Sequence, residues 1–133
     1  MIVVDSSVWI SYFNGDSNLE TDMLDLLLGE EAIAIGDLIL LEVLQGFRSD
    51  SGYNKAKKHL AELHQVEMLG TNMAIRAAEY YRKLRKKGVT IRKTADVIIA
   101  SFCVENKLPL LFSDKDFLPF VKHLKLRSVS EKI

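Results

Sequence analysis

A chain of 133 residues, 48% of them apolar, is the length of a single domain (residues 1–133) and can bury a full core without staples. A charged fraction of 27% excludes a disordered chain, and the longest apolar stretch, residues 97–104, is far too short to span a bilayer, so no membrane partner is expected. One cysteine, Cys103, excludes an internal disulfide and a multi-cysteine zinc site; with no basic leader before Asp5, the cytoplasm is the expected compartment.

In chain order, Ile2, Val3 and Val4 predict a buried strand ending at Asp5, followed by a short helix over 6–13 that Asn14 and Gly15 stop. Ser17-Asn18-Leu19-Glu20 has the form of a capping box, with Leu19, Met23, Leu26 and Leu27 at helical spacing up to Gly29. Residues 32–35 predict a second strand. Asp37 opens a strongly apolar helix over 37–47, and a more polar helix over 53–64 buries Ala56, Leu60 and Leu63. Residues 66–69 predict a third strand. Ala74, Ala77, Ala78, Tyr81 and Leu84 mark an amphipathic helix closing at Gly88. Thr94 is suited to cap a helix through 105. Residues 110–112 predict a fourth strand, 114–123 a short helix, and 126–129 a fifth strand at the sheet edge. Strands alternating with helices imply an α/β fold with a parallel sheet covered on both faces. Ligands of such folds sit at the carboxyl ends of the strands, where the strand order reverses.

Four carboxylates stand where a charge is costly or well aimed. Asp5 ends the first strand, either as the cap of the next helix or as a ligand. Glu42 interrupts a helix apolar on nearly every face, in a stretch without basic residues; a cation from the later chain or a metal ion must neutralise it. Asp96 falls in the first turn of a helix and Asp114 directly after the fourth strand, each able to serve a helix dipole or a cap when taken alone. Gathered in one pocket, the four would repel and raise one another's pKa unless a cation intervened. Carboxylate oxygens suit Mg²⁺ or Mn²⁺ rather than zinc, and His59, His64 and His123 are too scattered to argue otherwise. Such a site activates water against a phosphodiester. No phosphate-binding glycine loop, nucleophile elbow or cysteine pair competes with it.

The zero net charge is a cancellation. Residues 1–47 hold nine acids and no Lys or Arg, and residues 48–133 hold all 18 basic residues and the other nine acids. The basic run over 82–93 (Arg82, Lys83, Arg85, Lys86, Lys87, Arg92, Lys93) leads into Asp96, which favours contacts with a nucleic-acid backbone over a merely solvated helix end. Trp9, Tyr12 and Phe13 read as core or interface residues in preference to base-stacking platforms.

Four segments, in this order, resemble the PIN-domain family and particularly its VapC-type toxins: Ile2-Val3-Val4-Asp5-Ser6-Ser7-Val8-Trp9-Ile10, Leu41-Glu42-Val43-Leu44-Gln45-Gly46, Thr94-Ala95-Asp96-Val97-Ile98-Ile99-Ala100, and Leu111-Phe112-Ser113-Asp114-Lys115-Asp116-Phe117. The resemblance implies a three-layer α/β/α sandwich with a central, mostly parallel sheet. It also implies a Mg²⁺-dependent endoribonuclease with Mn²⁺ as a substitute, whose acidic quartet is Asp5, Glu42, Asp96 and Asp114, with Asp116 as an additional ligand or orienting group. Asp5 and Asp96 would be the firmest metal ligands. Arg82, Arg85, Lys86, Lys87, Arg92 and Lys93 are the expected RNA contacts. A cognate antitoxin protein covering the pocket is the expected partner, in a homodimer or a toxin–antitoxin hetero-oligomer. Phe112 stands where relatives often carry a hydroxyl residue, with Ser113 one position later. A nuclease of ordinary RNA processing, a non-catalytic RNA-binding module of the same fold, and a small-molecule phosphohydrolase are the competing readings.

Overall fold

The computed structural model describes residues 1–129. Four short strands, β1 (Ile2–Val4), β2 (Ile33–Gly36), β3 (His64–Val66) and β4 (Leu110–Leu111), form one parallel sheet in the order β3-β2-β1-β4. Every residue of β1, β2 and β4 is buried, as expected of a parallel sheet covered on both faces. The chain steps from β1 outward to β3 and then returns past β1 to β4. Right-handed crossovers therefore put the two sets of connecting helices on opposite faces. On one side α1 (Ser6–Phe13) packs on α2 (Leu19–Leu27) and α3 (Asp37–Leu44), and α3 packs on α4 (Asp50–Ala61). On the other, α5 (Thr71–Lys86) packs on α6 (Thr94–Glu105) and α7 (Leu118–Leu124). This is the three-layer α/β/α sandwich with a parallel sheet, and its strand order reverses between β1 and β4.

Local differences from the sequence reading have identifiable causes. The third strand is His64–Val66, not 66–69. Met68 is fully buried but lies beyond the strand, its thioether against Gly36, where a Cβ would collide with it. Its backbone N–H donates to Asp37 Oδ1 at 3.0 Å, so apolar burial there reflects a side-chain plug and not strand pairing. Ser49, whose hydroxyl accepts from the Gly52 N–H at 3.0 Å, starts α4 at Asp50, three residues before the expected start at 53. The capping box is formed by Asn18 and Thr21 in place of Ser17 and Glu20. Helix α3 stops at Leu44, short of 47. Lys93, not Thr94, is the residue that precedes α6. The predicted helix over 114–123 is a 3-10 turn, Lys115–Phe117, followed by α7 with Pro119 in its first turn. The expected fifth strand is reduced to one parallel bridge between Leu110 and Ser128.

Candidate active site

The reversal point between β1 and β4 is built by the ends of the two strands. The Asp5 N–H donates to the Leu111 carbonyl at 2.9 Å, continuing the ladder one residue past β1 and holding Asp5 beside the start of the β4 loop. The Asp5 carbonyl then accepts from the Val8 and Trp9 N–H groups, and its side chain caps α1. The cap reading of Asp5 holds, and it uses one oxygen only: Oδ2 accepts the Ser7 hydroxyl at 2.7 Å and the Ser7 N–H at 3.4 Å, while Oδ1 is buried with no hydrogen-bond partner. Burial pushes the Asp5 carboxyl up, the Ser7 hydroxyl opposes it, and the charge of Asp114 adds to the rise.

Helix α3 meets α6 across this edge and brings Glu42 toward Asp96. Glu42 is half-buried, not enclosed by its apolar helix, and its Oε1 accepts the Ser6 hydroxyl at 3.1 Å. Its carboxyl is raised chiefly by burial and further by Asp5, with Lys93 acting in opposition. Asp96 is only 5% exposed, and its Oδ2 has no hydrogen-bond partner. Burial outweighs the nearby Lys93 ammonium, and with Asp5, Asp114 and Glu42 adding negative charge the Asp96 carboxyl is pushed up to about 6.

Asp114 precedes the 3-10 turn and accepts the Asp116 N–H at 2.9 Å through Oδ1. That backbone bond, aided by Lys93 and Arg92, holds its carboxyl below the usual range. Carboxylate oxygens of Asp96, Asp114 and Asp116 all lie within 4.8 Å of one another. This trio is tighter than the quartet expected from the sequence, and it includes Asp116, whose Oδ2 is buried without a hydrogen bond. Asp5 and Glu42 lie outside this trio and act on Asp96 through their charge.

The basic run does not form one patch. Lys93 points into the acidic cluster, its Nζ 3.3 Å from Asp114 Oδ2 and 3.9 Å from Asp96 Oδ2. Arg92, almost fully exposed, reaches to 3.8 Å from Asp116 Oδ2. Arg82 and Arg85 line a separate groove with Tyr81, Thr94 and Ile98, and the Arg85 guanidinium lies over the Tyr81 ring. Lys86 and Lys87 are exposed where α5 ends.

Three hydroxyls support these acids; the sequence reading singles out Ser113 and gives Ser6 and Ser7 no role at the site. Ser6 and Ser7 serve Glu42 and Asp5. Ser113 Oγ lies 3.3 Å from Ser7 Oγ, and because Ser7 gives its one proton to Asp5, Ser113 is the donor in that pair. Ser113 thus joins the Asp5 network across the strand gap, while Phe112 turns to pack against Phe117, ring centroids 5.3 Å apart. Their signal was the placement of hydroxyl residues beside each strand-end acid. Three buried carboxylate oxygens without hydrogen bonds, on Asp5, Asp96 and Asp116, together with three carboxylates within reach of one point, fit a hard divalent cation. Among the described residues no cysteine or histidine joins the group.

The PIN domain family model matches residues 2–120. Ribonuclease VapC11 of Mycobacterium tuberculosis is 27% identical over 132 residues, covering 98% of both chains. Ribonuclease VapC1 of Methanocaldococcus jannaschii is 29% identical over 126 residues, 95% of this chain and 85% of that one. Among solved structures, VapBC2 from Rickettsia felis, bound to a DNA fragment from its promoter, superposes with a TM-score of 0.76 at 20% identity over 96% of this chain and 97% of that one. DNA-bound VapBC from Salmonella typhimurium superposes with a TM-score of 0.73 at 17% identity, again over 96% and 97%. At these identities the structural likeness speaks to the fold.

Proposed function

The chain belongs to the PIN-domain family, and from that premise we propose that it is a divalent-metal-dependent endoribonuclease and the toxin of a toxin–antitoxin pair. The observation that carries the reading is the gathering of Asp5, Glu42, Asp96, Asp114 and Asp116 at the reversal point of the sheet, with buried oxygens left without hydrogen bonds. Relatives along nearly the whole chain are named ribonucleases, and solved neighbours are toxin–antitoxin complexes. A cognate antitoxin and an oligomeric assembly follow for this chain by that likeness. No helix among the described residues is long and apolar enough to cross a membrane, which agrees with a cytoplasmic enzyme.

Asp96, Asp114 and Asp116 would hold Mg²⁺ or Mn²⁺, with Asp5 and Glu42 completing the set directly or through water. When bound there, such an ion would supply charge for a phosphodiester oxygen and lower the pKa of an attacking water. The residues of the chain do the rest. Ser7 and Ser113 fix the rotamer of Asp5, and Ser6 fixes that of Glu42, so neither carboxylate has to reorganise. Glu42, raised by burial and open on one side, is placed to accept a proton from water. Arg92 and Lys93 stand at the rim, where a phosphate would meet positive charge before the carboxylates. Arg82, Arg85, Lys86 and Lys87 extend that charge along the RNA backbone.

The test is cleavage of single-stranded and structured RNA with Mg²⁺, Mn²⁺ or EDTA, beside Asp96→Asn. Cleavage that requires the metal and vanishes in the variant is the expected result; cleavage surviving EDTA or the substitution overturns the mechanism. Growth arrest on expression, relieved by a small co-expressed neighbour, supports the toxin role, and harmless expression of active enzyme points to RNA processing.

A further inference from the structure

At the other edge of the sheet, before β4, an open cavity of about 490 Å³ lies between α5 and the C-terminal ends of α6 and α7. Arg76, Lys83, Lys107, His123, Lys125 and Arg127 line it. Arg76 is compensated by Glu105 and Glu79. Among the described residues none of the other five has a carboxylate within ion-pair distance, so at least four permanent positive charges share one concavity.

Two of them come from unusual backbone. Lys107 and Lys125 follow α6 and α7 with φ of 54 and 65, the left-handed region, where glycine or asparagine is the unstrained choice. Arg127 donates to the Lys107 carbonyl and ties the two segments together. A cation behind a helix end compensates that helix's dipole, which accounts for Lys107 and Lys125 one at a time. It covers Lys83, in the last turn of α5, as well, but it does not account for Arg127, from the return segment, or for the convergence of all four cations on one space.

We propose that this cavity binds backbone phosphates of an RNA strand whose reacting segment lies at the acidic pocket, making it a second anchoring site. The inference rests on the ribonuclease reading above. The two sites are separated by the length of α6, about 18 Å for its 12 residues at about 1.5 Å each. A stacked single strand at about 3.4 Å per nucleotide covers that in roughly five or six nucleotides. A trinucleotide can therefore occupy one site but not both.

The test uses the full chain in EDTA, where no cleavage occurs. Binding of a single-stranded RNA longer than that span, on the order of 20 nucleotides, is measured by fluorescence anisotropy for wild type and for the double variant Lys107→Gly, Lys125→Gly. Glycine relieves both left-handed positions, so the variant melts no lower than wild type, and lost binding is not lost folding. The expected result is binding about 10–30-fold weaker near 0.1 M salt, with the log–log salt slope shallower by about 1.4, the value for two phosphate contacts on a single strand. A trinucleotide, which cannot bridge the two sites, is expected to bind weakly to both proteins, with a smaller difference between them than the long RNA shows. Equal binding of the long RNA with an unchanged slope overturns the proposal. So does AMP that displaces the long RNA from wild type and does not bind the variant, which would make the cavity a nucleotide site. Cleavage by wild type in Mg²⁺ is scored separately: a protein that cleaves but loses nothing in the double variant refutes the cavity and leaves the ribonuclease standing.

Discussion

Asp96→Asn is expected to stabilise the metal-free protein while abolishing cleavage. Asp96 is buried, and its carboxyl is raised from the ordinary 3.8 to about 6, chiefly by burial. Between those values the folded state holds more proton than the unfolded chain, so stability falls as pH rises, and above both the full cost of about 3 kcal/mol is present. Asparagine keeps the shape and removes the charge. It also loses the Lys93 pair and leaves an amide to be hydrated, so about 1–2 kcal/mol of that returns, or roughly 3–8 °C in Tm for a chain of this size. The assay is thermal and urea denaturation in EDTA from pH 4 to 8. Wild type should lose stability across pH 4–7, with Asp5 and Glu42 contributing in the same direction because both are raised. Asp114, held low by the Asp116 N–H, contributes stability that is lost only as pH falls toward its own value. The variant should show a flatter curve and exceed wild type at pH 7.5. Saturating Mg²⁺ should reverse the order by stabilising wild type, by about 2.7 kcal/mol at a hundredfold excess over Kd. Parallel pH curves, or a variant less stable than wild type at pH 7.5 in EDTA, would refute the argument that burial of this charge strains the fold.

Lys93→Gln removes the ammonium between Asp114 and Asp96, so a divalent cation should bind about thirtyfold more tightly, as read by calorimetry, the equivalent of about 2 kcal/mol for a double charge facing a single one at roughly 4 Å in water. Gly36→Ala places a methyl on the fully buried Met68 side chain and should cost about 1–3 kcal/mol in urea denaturation; a neutral result would mean that Met68 repacks freely. Cys103 is buried, and burial pushes its thiol up, so alkylation at pH 8 should proceed at the rate of unfolding; fast labelling of the native protein would contradict its place in the core.

The fold was legible where periodicity and burial agree. Ile2–Val4, Ile33–Gly36 and the apolar face of α6 are buried as their composition requires. It was misread where a side chain filled a gap from outside its element: Met68 looks like strand because it is apolar, yet it is buried by the missing Cβ of Gly36. Helix α4 was entered late because Ser51 and Gly52 look like loop, and only the Ser49 cap reveals the true start. At the site, the acids could be picked from their cost in context, but their grouping, with Asp116 as an addition, came only from the family resemblance. Asp116 joins Asp96 and Asp114 because a 3-10 turn folds it back beside them, a geometry no spacing rule distinguishes from an exposed second acid.

The division of charge along the chain bears on how the pocket is balanced. Residues 1–47 contribute Asp5 and Glu42 and have no Lys or Arg, so every positive counter-charge has to come from beyond residue 47. Two routes were open for Glu42, a later cation or a metal ion. Among the described residues no basic group lies within ion-pair distance of it; it receives one hydroxyl from Ser6, and Lys93 acts on it only through its field. Lys93 instead sits on Asp114 and Asp96, which are its near neighbours in the later half. Lys93 and the exposed guanidinium of Arg92 among five carboxylates leave the pocket net negative, and that excess adds to the burial that chiefly raises the carboxyls of Asp5, Glu42 and Asp96. A divalent cation would supply the charge that the chain does not.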